Sequence, residues 1–167
     1  PLKMPPEWPL HGLQGLSVTA RVGAVPAAGG KKVSRPAFTL PLLFTHHGLS
    51  GPACLQASSY LEKGDSLEID FLPGQDLEAL LDYPANGKAS LQSLLRTRLP
   101  ERLAEALLRA SGLESLKARR VAELSRSARR PAAAGVLRPT TTSAPPRFGP
   151  AESPLRGRSP SDLIPPT

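Results

Sequence analysis

The chain has 167 residues, 40% of them apolar, with one Trp, two Tyr, four Phe, one Cys and a formal net charge of +7. That length allows one ordinary domain or two small ones, with a core built mainly from Leu, Val and Ala. A lone cysteine excludes an internal disulfide and a cysteine-rich zinc site and fits a reducing, cytoplasmic setting, and no apolar run approaches the ~20 residues that would span a bilayer.

The charge is unevenly placed. From Arg126 onward the chain carries seven Arg and two acids, together with nine of its twenty prolines, whereas residues 1–125 hold 14 basic and 12 acidic side chains. A nucleic-acid reading based on net charge therefore concerns the tail alone. The opening stretch, with Pro1 first and Met4 as its first methionine, lacks the pattern of a signal peptide and suggests a piece of a longer reading frame.

In chain order, "LQGLSVTARVGAV" alternates Leu16, Val18, Ala20 and Val22 against Ser17, Thr19, Arg21 and Gly23, the signature of a half-buried strand. "PAAGGKK" is a turn, its glycines supplying backbone angles other residues resist. "AFTLPLLFT" is a second strand in which Pro41 lacks a ladder donor, predicting an edge or bulge there. "PACLQASSYL" predicts a short helix opening on Pro52 and ending near Leu61. "SLEIDFLP" alternates again, with Leu67, Ile69 and Phe71 inward.

From Gln75 the period changes to that of helices. "DLEALL" predicts a turn or two, and "KASLQSLLRTRL" places Leu91, Leu94, Leu95 and Leu99 on one face. "PERLAEALLRASG" opens on Pro100 and closes on Gly112, and "LESLKARRVAELS" continues the stripe with Leu113, Leu116, Val121 and Leu124. The expectation is an α+β fold: a β-rich module over 1–74, a helical bundle over 75–125, and a Pro/Arg-rich tail over 126–167. That tail is expected to be disordered, or to be the product of a shifted reading frame, since it cannot bury enough surface to offset ordering.

"THHGLSGP" is the one stretch that could hold a ligand. His46 and His47 are adjacent and have no third ligand at zinc spacing. Each reads as a polar turn residue, with a hydrogen bond to a ligand as the alternative. "GLSGP" leads into a helix N-terminus, where its glycines serve geometry or an anion and Ser50 serves as a cap. Cys54 is expected to be buried and inert rather than activated by the helix. Ser58 and Ser59 lack a nucleophile elbow, Glu68 and Asp70 suit a solvated strand face, and Lys117–Arg120 suits a solvated helix face.

The order "LQGLSVTARV", "LLFTHHGLSGPACLQASSYL", "LEIDFLPG", "LPERLAEALL" and "SGLESLKARRVAELS" resembles the BaiN/RsdA/aminoacetone-oxidase-like family of FAD-binding oxidoreductases over about Leu2 to Ser125. The pattern Leu-Leu-Phe-Thr-His-x-Gly-Leu-Ser-Gly-Pro is matched at Leu42–Pro52, with a departure at Leu40-Pro41 where a Gly-Glu pair is expected. The resemblance implies an inserted, substrate-side segment, with a barrel-like part and a helical part, of an NAD(P)/FAD-dependent oxidoreductase whose FAD-binding domain lies elsewhere in the same protein. This chain has no Gly-x-Gly-x-x-Gly after a strand, so the FAD fingerprint is absent from it. In a complete enzyme the flavin would transfer hydride, with Thr45, His46, Gly48, Ser50, Gly51 and Pro52 facing substrate or cofactor. The expected partners are that FAD domain and a small-molecule substrate, with no membrane and no nucleic acid; the alternative is a basic module binding nucleic acid or an acidic partner through the arginine-rich tail.

Overall fold

The structure, a computed structural model, describes residues 2–26, 35–62, 64–124 and 141–142. Six antiparallel strands form one curled sheet: β1 (Leu2–Lys3), β2 (Ser17–Val25), β3 (Ala37–Thr45), β4 (Gly48–Ser50), β5 (Ser66–Asp70) and β6 (Thr141–Thr142), in the spatial order β1-β4-β3-β2-β5-β6. The three long strands, β2, β3 and β5, are those predicted from the sequence, β2 and β5 by alternation. Ala20, Val22, Leu42, Phe44, Leu67 and Ile69 are buried on the inner face, as period-2 side chains on a half-barrel must be.

Helix α1 (Pro52–Ser58) lies across β2, β3 and β4 on that inner face. Its buried residues Ala53, Cys54 and Ala57 are small, so the helix can sit close to the sheet. It ends at Ser58 and continues only as a turn, short of the Leu61 predicted. Beyond the helix, Trp8 stacks on Phe44 at 6.0 Å and Phe44 on Phe71 at 6.1 Å, tying the N-terminal segment, β3 and the chain after β5 into one column.

The departure at Leu40-Pro41 leaves the β2–β3 register unbroken, with Ala20 opposite Leu40 and Thr19 opposite Pro41. Phe44 N–H donates to the Leu16 carbonyl at 2.9 Å, so even-numbered β3 residues bond to β2 and the Pro41 nitrogen points the other way. There β4 pairs only with residues 43–45. Pro41 thus lies at a locally open edge, where a missing donor costs little.

Three short helices follow: α2 (Leu77–Asp82), α3 (Leu91–Arg96) and α4 (Glu101–Ala110). Asp76 caps α2 by accepting from the Glu78 and Ala79 N–H groups, and Ser90 caps α3 by accepting from Ser93. Pro100 is the N-cap of α4 rather than its first helical residue. Leu91, Leu94, Leu95, Leu103, Leu107 and Leu108 are buried, and one continuous core runs from the sheet into these helices.

The predicted helix over 113–124 does not form; the segment has two single 3-10 turns, Glu114–Leu116 and Val121–Glu123. The reason lies at the end of α4. Gly112, at φ +67, donates to the Arg109 carbonyl, while Leu113 donates to Leu108, which together reverse the chain. The backbone that follows is then used across the gap: Leu91 N–H donates to Arg119 O, Gln92 N–H to Lys117 O, and Val121 N–H to Ala89 O. Two of these satisfy first-turn N–H groups of α3 that no helix can satisfy internally. The stripe was right about burial even so, since Val121 and Leu124 are in the core.

The glycine-bearing loop 27–34 and, apart from Thr141–Thr142, the tail expected to be disordered or frame-shifted lie outside the described residues.

Candidate functional site

The "THHGLSGP" stretch is a two-residue hairpin followed at once by a helix. Thr45 pairs with Gly48 across the loop made by His46 and His47, and Thr45 Oγ1 donates to the Gly48 carbonyl at 3.0 Å. Both histidine side chains are exposed at the tip, and the His47 carbonyl accepts from Met4 N–H at 3.1 Å.

The two glycines answer to the protein's own backbone. Gly48 has φ +146, and a Cβ there would overlap the Leu2 carbonyl oxygen and lie 2.8 Å from the Met4 nitrogen, because β1 crosses directly over it. Gly51 has φ +92, and a Cβ would lie 2.8 Å from the Pro41 carbonyl oxygen. Gly51, not Ser50, is the N-cap of α1, and it supplies no side-chain hydrogen bond. Ser50 instead sits in β4 opposite Leu43. The cap role read from the sequence is therefore corrected: a strand that runs straight into Pro52 leaves Ser50 one residue too early to reach the first-turn N–H groups.

His46 and Gly51–Pro52 stand at opposite ends of β4, a span of roughly 10 Å for three extended residues. The structure leaves Thr45 and Ser50 half-buried on the outer sheet face, Gly48 buried against β1 and His46 exposed at the tip, so the six residues follow a ridge rather than converge on a pocket. Cys54 is buried, and burial pushes its thiol up to about 12, as expected of an inert cysteine. Ser58 donates to the Leu55 carbonyl. Glu68 and Asp70 lie on the outer face of β5 opposite Gly23 and Arg21. Among the described residues, no three of His, Cys, Asp or Glu are placed to share a metal, and no helix is long and apolar enough to cross a membrane.

A second feature was not singled out from sequence. Between the start of β2, the chain after β5 and the α3–α4 corner runs a groove of about 410 Å³, with Ser17, Thr19, Gln75 and Arg98 on its walls and Leu99 and Pro73 among its apolar lining. Its parts come from three stretches far apart in sequence. The one local signal is "RTRLPER", three arginines crowded at a helix–helix corner.

A curled antiparallel half-barrel that passes its core on to short capped helices is, in class, a barrel-plus-helices domain. The chain belongs to the family described as HI0933-like protein barrel and H2TH domain, whose model matches residues 1–132. This is a domain of BaiN/RsdA-like flavoprotein oxidoreductases, in agreement with the resemblance read from the sequence. The chain is 42% identical over 100 residues to the ribosomal RNA dihydrouridine synthase of Escherichia coli (strain K12), a match covering 59% of this chain and 24% of that protein. It is 37% identical over 98 residues to the protein of the same name from Haemophilus influenzae (strain ATCC 51907 / DSM 11121 / KW20 / Rd), covering 58% and 22%. The chain thus spans about a quarter of the length of these relatives.

The residues present do not by themselves fit a flavin dinucleotide. The approach that a pyrophosphate would make to a glycine turn is taken at Gly48 by Leu2 and at Gly51 by Pro41, and α1 is only seven residues long.

Proposed function

We propose that this chain is the inserted, substrate-side domain of a flavin-dependent oxidoreductase that reduces uridine in ribosomal RNA, with FAD held by parts of the protein outside these residues. The observation that carries the reading is the 42% identity to a quarter of a protein named as a ribosomal RNA dihydrouridine synthase. The family match over residues 1–132 supplies the flavin association. In substrate, the proposal departs from the small molecule expected from the sequence.

The ridge from Thr45 to Pro52 is the face that meets the flavin-carrying part. Its backbone is fixed by close crossings at both glycines, so His46 is presented on a rigid tip rather than a loose loop. From there a ring N–H of the imidazole can donate to a substrate carbonyl. Thr45 is tied to Gly48 and holds the hairpin shut.

The test is an exchange. Residues 1–124 replace the matching segment of the Escherichia coli relative, and dihydrouridine is measured by mass spectrometry in ribosomal RNA from cells whose own enzyme has been deleted. Dihydrouridine above the deletion background is the expected result. A folded, flavin-loaded hybrid that leaves the RNA at background would overturn the reading.

A further inference from the structure

We propose that the groove between β2, the chain after β5 and the α3–α4 corner binds single-stranded RNA, with Arg98 taking backbone phosphate; this rests on the reading of RNA as the substrate and adds a site to it.

Four observations converge there. The first is an open strand edge. Strand β5 ends at Asp70, opposite Arg21, so Ser17 and Thr19 run past it and, among the described residues, their outward backbone groups on that side meet no strand. Leu72 does not continue the ladder, since its N–H is turned to the Asp70 side chain at 2.9 Å and its carbonyl accepts from Gln75. Open strand edges are places where another chain is hydrogen-bonded.

The second is charge. Arg96 is occupied by two carboxylates, Glu101 at 2.5 Å and Glu105 at 2.8 Å. Arg98, on the groove wall, instead bonds the neutral Gln75 side chain at 3.2 Å. Among the described residues Arg98 has no carboxylate in ion-pair range, so its guanidinium keeps the charge and the free donors that a phosphate uses.

The third is donor chemistry. The hydroxyls of Ser17 and Thr19 and the Gln75 amide line the same groove as Arg98, and they suit ribose hydroxyls and base edges, which RNA recognition relies on. The fourth is size: about 410 Å³ lies in the ~300–1,000 Å³ range of sites that enclose one small molecule, enough for one nucleotide unit with its neighbours running out along the edge. A peptide strand could use the open edge, but its backbone would leave Arg98 without an anion.

The experiment uses the full 167-residue chain and a fluorescein-labelled, uridine-rich single-stranded RNA 20-mer, with Kd followed by anisotropy across salt. Because the tail also carries arginines, Arg98→Ala is compared with a variant that removes the same charge elsewhere, Arg109→Ala. Arg98→Ala should raise Kd about fivefold and flatten the salt slope by about 0.7, while Arg109→Ala should change Kd less than about twofold. Should Arg98→Ala fail to fold, Gln75→Glu, which places a carboxylate beside Arg98, should weaken binding in the same direction. Equal effects of Arg98→Ala and Arg109→Ala, or a Kd unchanged by the groove variants, would overturn the site and leave the groove to a peptide strand. A wild-type chain that does not bind the RNA would also overturn it. The exchange experiment is scored by dihydrouridine, so a productive hybrid whose groove variants bind RNA normally would fault the groove alone.

Discussion

Cys54 shows how one position settles between two readings. It stands in the first turn of α1, where a helix N-terminus would activate a thiol, yet it is 1% exposed against the sheet, and loss of hydration dominates. The thiol is pushed up from 9.0 to about 12, so the folded state holds its proton more tightly than the unfolded one. Its effect on stability is therefore constant below about pH 9 and is lost progressively as pH rises toward 12. Melting temperature should decline through that window with a slope that Cys54→Ala lacks, although the variant should melt lower at pH 7 for want of packing. Native protein should react with a thiol reagent only at the rate of unfolding; reaction at the rate of free cysteine would refute the burial. Arg35 and Asp65 are a second residue-scale case. Both side chains are less than a tenth exposed, and they are joined by an ion pair, with Arg35 also bonding the Tyr60 carbonyl. Thirty residues separate the two, so no local pattern signals the pairing.

At the scale of elements, the hairpin and its crossing strand fix the candidate ridge. β1 and β4 are two and three residues long, too short to show alternation, and the sequence reading placed a turn where β4 lies. Their existence depends on Gly48, whose missing side chain lets Leu2 pair with Leu49. Gly48→Ala should therefore cost about 2–4 kcal/mol, from forcing a non-glycine residue to positive φ and from displacing β1, measured by urea unfolding. A loss below ~0.5 kcal/mol would contradict the close crossing. The longer strands were legible because one face is core and the other is solvent, and α4 because Leu103 and Leu107 repeat at helical spacing. Residues 113–124 were not, since apolar spacing reports which side chains are buried but not whether the backbone bonds locally. The hydrogen bonds to residues 89–92 are non-local, and only the Gly112 turn hints at them.

At the scale of the molecule, the division between a β-rich part and a helical part is crossed by one core, so the groove at their junction has rigid walls. The ridge was legible in the sequence because its residues are contiguous, whereas the groove was not, because it joins residues 17–19, 71–75 and 98–100. In the proposed enzyme the two features serve different ends: the ridge meets the flavin-carrying part, and the groove holds the RNA. The most direct test of the first claim is amide hydrogen exchange over Thr45–Gly51, compared between the isolated chain and the flavin-loaded hybrid. At least tenfold slower exchange at His46 and His47 in the hybrid is the predicted result. Unchanged exchange there, with protection appearing on another face, would show that the ridge points away from the flavin.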